Sequence, residues 1–238
     1  MHSVNPNRRT YPWILAVVAL ILAAIQPDLS VRATAESVTS AVKNTPPQMT
    51  ASMPANLPVE GYLPPLNSGE WLNSKPLTSA DLRGKVVLVD FWTYTCINWR
   101  RQLPWVRAWA EKYKDQGLVV IGVHAPEFSF EKNIDNVRQA IKDRRVDYPV
   151  VTDNDLTIWT AFNNEAWPAL YFVDAKGRIR HHLFGEGEYQ ESEMILQQLL
   201  REAGTGAISE DPVSVDPTGA LRPAQIERSP VSGKLRRV

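Results

Sequence analysis

Between Gly61 and Gly204 apolar positions are dense, and two spacings alternate along the chain. Val86-Val87-Leu88-Val89-Asp90-Phe91 is a continuous apolar run broken by one carboxylate, the pattern of a strand covered on both faces. Leu103, Val106, Trp109, Ala110 and Tyr113 then recur at helical spacing. Leu118–Val123 predicts a second buried strand, and Ile134, Val137 and Ile141 mark a second amphipathic helix. Tyr148–Val151, Ala169–Val173 and Ile179–Phe184 predict further strands, the last two joined by a turn at Gly177. Met194, Ile195, Leu196, Leu199 and Leu200 predict a closing helix stopped at Gly204. Strands alternating with helices point to an α/β fold, a central mixed sheet flanked by helices. The sheet is parallel where crossover helices intervene and antiparallel at the Gly177 hairpin.

The two ends read differently. Residues 1–12 carry Arg8 and Arg9 and no acid; the apolar run 13–25 follows, and Ala33-Thr34-Ala35 offers a cleavage site before Glu36. Residues 1–35 therefore read as a secretory signal peptide or, left uncut, as a membrane anchor tethered through 13–25. Both place the rest of the chain outside the cytoplasm, in the periplasm or cell envelope. Residues 36–58, rich in Ala, Ser, Thr and Pro, read as a linker, and 59–204 as the folded domain. Residues 205–238 hold no aromatic residue and read as a disordered or loosely docked tail.

Composition narrows the chemistry. The 238 residues carry 26 basic against 26 acidic side chains, so no basic excess exists to neutralise a nucleic acid. The single cysteine excludes a disulfide within the chain and any thiolate-rich zinc or iron–sulfur site. The four histidines show no ligand spacing, and His181 and His182, adjacent in a strand, point to opposite faces. No metal and no cofactor are expected. No phosphate-cradling glycine loop is present.

What remains is Cys96, just past the first buried strand and at the start of a helix. A thiol there feels the positive end of the helix dipole, which favours thiolate; the plain alternative is an inert, buried cysteine. Asp90 lies inside an apolar run, where burial raises a carboxyl pKa, or where it simply ends a strand bonded to nearby backbone. His124 and Glu127 follow the second strand and are accessory candidates, with a solvated loop pair as the ordinary reading. Trp105 and Trp109, one helical turn apart, read as core, and Glu165 as surface charge.

The stretch Val89-Asp90-Phe91-Trp92-Thr93-Tyr94-Thr95-Cys96, with Pro104 eight residues beyond the cysteine, resembles the active-site stretch of thioredoxin-like redoxins, most of all the extracytoplasmic thiol–disulfide oxidoreductases of the TlpA/ResA/DipZ type. The likeness continues through Gly122–Phe128, Trp167-Pro168-Ala169 and Phe184–Gly187, covering roughly residues 60–204. It implies a thioredoxin-like fold, Cys96 as nucleophile and Asp90 as a buried proton-transfer residue. Trp167–Pro168 would be a cis bond beside the cysteine, and Trp92, Trp99, Trp167 and Pro168 would line a substrate groove. The partners implied are protein or small-molecule thiols and disulfides of the cell envelope.

One departure matters. The family motif C-x-x-C reads Cys96-Ile97-Asn98-Trp99 here, so the second, resolving cysteine is a tryptophan. Cys96 could form a mixed disulfide, but an external thiol reductant would have to resolve it. Three readings follow: a single-cysteine redox protein, a thioredoxin-fold binding module that has lost catalysis, and a single-cysteine peroxiredoxin-like peroxidase cycling through sulfenic acid. For the last, Thr93 echoes the Thr-x-x-Cys of peroxiredoxins, although Val89 stands where their motif has proline.

Overall fold

The computed structural model describes residues 56–204 and 206–216. The expected signal or anchor, nearly all of the linker and the tail beyond residue 216 lie outside the described residues. Among those described, no helix is long and apolar enough to cross a membrane.

The strands are β1 (Gly61–Tyr62), β2 (Trp71–Leu72), β3 (Val86–Trp92), β4 (Leu118–His124), β5 (Val150–Thr152), β6 (Ala169–Val173) and β7 (Arg178–Phe184). The helices are α1 (Ile97–Tyr113), α2 (Ile134–Arg144), α3 (Thr157–Ala161) and α4 (Tyr189–Ala203). The strands form one sheet in the order β1-β7-β6-β3-β4-β5-β2, with β3, β4 and β5 parallel and the other pairings antiparallel. The mixed sheet and the antiparallel edge are as the sequence pattern predicts. β3 is central and buried along its whole length, which explains a run with almost no polar alternation.

Side chains of β3 alternate between two cores. Val86, Leu88 and Trp92 face α1, α2 and α4, packing with Trp99, Leu103, Val106, Val137, Leu196 and Leu199. Val87, Val89 and Phe91 face the other side, against Ile121, Val123, Ile158, Phe162 and Tyr171. Asp90 shares the first face with Leu88 and Trp92, so the same alternation that buries them aims its carboxylate at α1. Trp109 joins this core, while Trp105 stacks on Tyr189 with ring centroids 4.7 Å apart.

Three boundaries are drawn more finely by the structure than by the pattern. The strand expected over Tyr148–Val151 starts at Val150, because Pro149 has no N–H to give a ladder; its carbonyl instead accepts from the Gly122 amide at 2.9 Å. The tail begins docked: Ile208 and Val213 pack on the core, and the Val213 amide donates to Glu193 at 2.9 Å. Glu193 and Gln197 are buried polar side chains of α4, and residues 209–213 supply partners that such groups need. At the other end, Leu57 is already buried, and the carbonyls of Leu57 and Pro58 accept from the guanidinium of Arg180. The fold thus starts within the expected linker.

Candidate active site

The β3 strand ends at Trp92, and residues 93–96 turn the chain into α1. The Cys96 amide closes this turn on the Thr93 carbonyl at 3.2 Å, and Cys96 occupies the cap position of the helix with extended backbone (φ −62°, ψ 114°). α1 has no acidic residue in its first turn, and Cys96 makes no side-chain cap. The thiol is half-buried and free.

Its polar neighbour comes from the segment that leads into β6, the strand paired with β3. Cys96 Sγ lies 3.8 Å from the Trp167 carbonyl oxygen, within range of a weak S–H···O bond. The Trp167–Pro168 peptide is cis. Three contacts fix this segment: the Trp167 indole N–H donates to the Ala125 carbonyl at 2.8 Å, its ring packs on Trp159, and the Gly185 amide donates to the Pro168 carbonyl at 2.8 Å. Trp167 is half-buried and Pro168 buried beneath it. Through Trp167 and Pro168, the segments that the resemblance singled out, 92–96, 122–128, 167–169 and 184–187, are thus linked to one another.

Behind the thiol lie two buried carboxylates in opposite circumstances. Asp90, with no exposed surface, accepts from Trp99 Nε1 at 3.1 Å, Tyr148 Oη at 3.1 Å and Gln102 Nε2 at 3.2 Å. Burial outweighs these three bonds and pushes its carboxyl up to about 6. Glu131 is equally buried, and desolvation alone would raise it too. Here the polar groups around it win and hold it below the usual carboxylate range: the Thr93 hydroxyl lies beside it, Thr95 Oγ1 donates at 2.5 Å, and the amides of Glu127 and Phe128 donate at 2.7 and 2.9 Å. Between Glu131 and Trp92 sits His124, its ring edge-on to Trp92 and stacked on Tyr94. Both of its ring nitrogens are buried without a hydrogen-bond partner, and desolvation lowers it to about 4, with Glu131 opposing; at neutral pH it is uncharged.

The structure corrects several expectations. Trp92 and Trp99 do not line a groove: both are fully buried and stacked on each other, centroids 4.2 Å apart. Indoles that large remove more apolar surface from water by packing under α1 than by facing solvent. His124 is not part of a solvated loop pair, because it is the last residue of β4 and points into the core; Glu127, three residues on, is exposed. Asp90 does not touch Cys96, since Trp99 stands on its carboxylate. Thr93 is buried, and its hydroxyl faces the Glu131 carboxylate without closing a full hydrogen bond. Glu165 is exposed.

Sequence reading missed Glu131, Gln102 and Tyr148. Glu131 left one legible trace: an acid three residues after Phe128, returning to that residue's amide as the third residue of a capping box does. Gln102 and Tyr148 left none, because only the sheet brings them to Asp90. His181 and His182 do point apart, toward Phe172 and Tyr171 respectively, and His182 pairs with Glu60. Among the described residues no group of three or more His, Cys, Asp or Glu side chains is placed to hold a metal.

The comparisons with known proteins agree with this geometry. A family model described as AhpC/TSA family matches residues 65–182. Protein DipZ of Mycobacterium bovis is 45% identical over 161 residues, which cover 64% of this chain and 23% of DipZ. The chain thus spans less than a quarter of the length of that relative. Thiol-disulfide oxidoreductase YkuV of Bacillus subtilis is 28% identical over 132 residues, 56% of this chain and 88% of YkuV. Among solved structures, a thioredoxin-like protein in its oxidised form is similar with a TM-score of 0.54 and 29% identity, covering 60% of this chain and 97% of its own.

Proposed function

Since residues 65–182 form a thioredoxin-like redoxin domain of the AhpC/TSA family, we propose that the chain is an exported thiol–disulfide protein that works through one cysteine. The observation that carries this reading is the seating of Cys96. The chain's single thiol lies half-open at the positive end of α1, with Sγ 3.8 Å from the carbonyl that precedes Pro168. YkuV, matched over most of its length, is a thiol-disulfide oxidoreductase by name.

The chemistry follows from having one sulfur. The Cys96 thiolate attacks a disulfide R–S–S–R′, forming Cys96–S–S–R as the S–S bond breaks and R′S⁻ leaves to take a proton from water. An external thiolate R″S⁻ then attacks the R sulfur of the mixed disulfide. R–S–S–R″ departs and the Cys96 thiolate is regenerated. Trp99 offers no sulfur, so the second step always needs the outside thiol. A direct proton-transfer role for Asp90 is not part of this proposal, because its lone pairs face Trp99, Tyr148 and Gln102; its position supports holding α1 against the sheet. The substrates proposed are protein or small-molecule disulfides of the cell envelope, and the export rests on the sequence of residues 1–35.

The binding-module reading draws support from the same place. Trp99 fills the core where a resolving cysteine would act, and the carboxylate behind it is fully engaged. One experiment separates the readings. The purified protein is exposed separately to oxidised glutathione and to hydrogen peroxide and weighed intact. A glutathione adduct on Cys96, released by added thiol, is the expected result. Sulfenic or further oxidised product with peroxide and no adduct would favour the peroxidase reading. Inertness to both would sink the redox readings in favour of binding.

A further inference from the structure

Two consecutive side chains ahead of the thiol are tied to one short segment. Tyr94 Oη donates to the Phe130 carbonyl at 3.2 Å, and Thr95 Oγ1 donates to Glu131 Oε1 at 2.5 Å. The other carboxylate oxygen, Oε2, receives the amides of Glu127 and Phe128. Glu131 therefore joins the residue next to Cys96 to the loop that leaves β4. It does so as a buried anion answered only by neutral donors: no cation pairs with it among the described residues, and the nearby His124 is uncharged at neutral pH. Burying a charge without a counter-charge is costly, and such groups concentrate where geometry serves function.

We infer that Glu131 is a positioning residue for Cys96, acting through Thr95 to hold the 93–96 turn in the orientation that presents the sulfur. This rests on the thiol-exchange reading for its purpose, though not for its test. Without the Thr95 bond the turn keeps its backbone closures, Cys96 amide to Thr93 and Ala125 amide to Trp92, and the exposed Tyr94–Phe130 bond, but loses the buried link next to Cys96. A sulfur displaced by a fraction of an ångström attacks out of line, and such misplacement slows reactions by orders of magnitude.

The inference distinguishes shape from charge. In Glu131→Gln the side-chain carbonyl accepts the two loop amides while its NH₂ donates to Thr95 Oγ1, so the geometry survives the loss of charge. In Glu131→Ala both links are lost. The test measures the rate constant of Cys96 in the full-length protein with iodoacetamide and with oxidised glutathione, over a range of pH and well below the unfolding midpoint. Glu131→Ala is expected to be slower by about tenfold at every pH with both reagents, and Glu131→Gln to stay within about twofold of the parent. Thr95→Val slows the thiol in the same way, and the double variant Thr95→Val/Glu131→Ala is no slower than Glu131→Ala alone, because both act through one link.

A residue that merely stabilises the fold would lower the midpoint and leave these rates unchanged; wild-type rates in folded Glu131→Ala would overturn the inference. If that variant does not fold, Thr95→Val decides, and a wild-type rate there is equally fatal. Should the parent protein form no glutathione adduct, the exchange reading fails while the iodoacetamide arm still reports on Glu131.

Discussion

Trp99 Nε1 donates a hydrogen bond to Asp90 Oδ2 at 3.1 Å, so the residue three positions after Cys96 stands directly on the buried acid of β3. The indole also stacks on Trp92, leaving no exposed surface on either ring. Trp99 therefore fills space beneath α1 and gives the carboxylate a buried donor.

Asp90 makes stability depend on pH in an unusual direction for a carboxylate. Its carboxyl rises from an ordinary value of 3.8 to about 6 in the fold, so folding favours the protonated form. That contribution is fully present below pH 4 and is lost as pH climbs through 6, to a total of about 3 kcal/mol. Asp90→Asn removes the titration. Its carbonyl can still accept from Trp99 and Tyr148, and its NH₂ faces Gln102, whose side-chain oxygen is buried without a partner. We expect Asp90→Asn to match the parent near pH 4 and to exceed it by about 2–3 kcal/mol at pH 7.5 in urea unfolding. A difference that does not grow with pH would contradict the assignment.

His124 works the other way. Its imidazole falls from 6.5 to about 4 in the fold, so folding favours the neutral ring. This contribution is present above pH 6.5 and is lost as pH falls toward 4, again about 3 kcal/mol. The two groups oppose each other over nearly the same interval. His124→Phe keeps a ring against Trp92 and Tyr94 and gives up two nitrogens that have no partners. Relative to the parent, the variant should gain stability as pH is lowered from 6.5 to 4, and parallel unfolding curves for the two proteins would count against it.

Restoring the motif with Trp99→Cys has two consequences. Removing a fully buried indole that is stacked and hydrogen-bonded leaves a cavity and costs about 3–5 kcal/mol, read as a lowered urea midpoint. Where the variant is folded, it should turn over a model protein disulfide with a dithiol reductant, because the mixed disulfide can then be resolved internally. A folded variant without turnover would mean that more than the second sulfur has been lost.

Arg180 anchors the start of the domain. Its buried guanidinium reaches Leu57, Pro58 and Asn56 on one side and Asp174 and Glu202 on the other. Arg180→Met strands the carbonyls of residues 57 and 58, while Asp174 keeps Arg178. The expected cost is about 3 kcal/mol, with protease sensitivity appearing first around residues 56–60. Cleavage patterns identical to the parent's would refute that role.

Much of this protein was settled by local sequence. The apolar run 86–91 had to become a central strand, because residues covered on both faces need no polar alternation. Gly204 ended the last helix, and the single cysteine fell at a strand–helix junction, which marks the candidate site. Pairings distant in sequence were beyond such reasoning. Tyr148 reaches Asp90 across 58 positions, and the Trp167 carbonyl reaches Cys96 across 71. Trp99 looked like a groove residue because its neighbours in sequence surround the thiol, yet helix phase turned it inward. Glu131, in the short Ser129–Lys132 turn, carried no periodicity to mark it as buried. Spacing reveals which residues share a strand or helix face, but burial and hydrogen bonding depend on what the sheet places opposite. Only the tertiary structure could decide that one acid behind Cys96 is pushed toward neutrality while the other stays ionised and holds the turn.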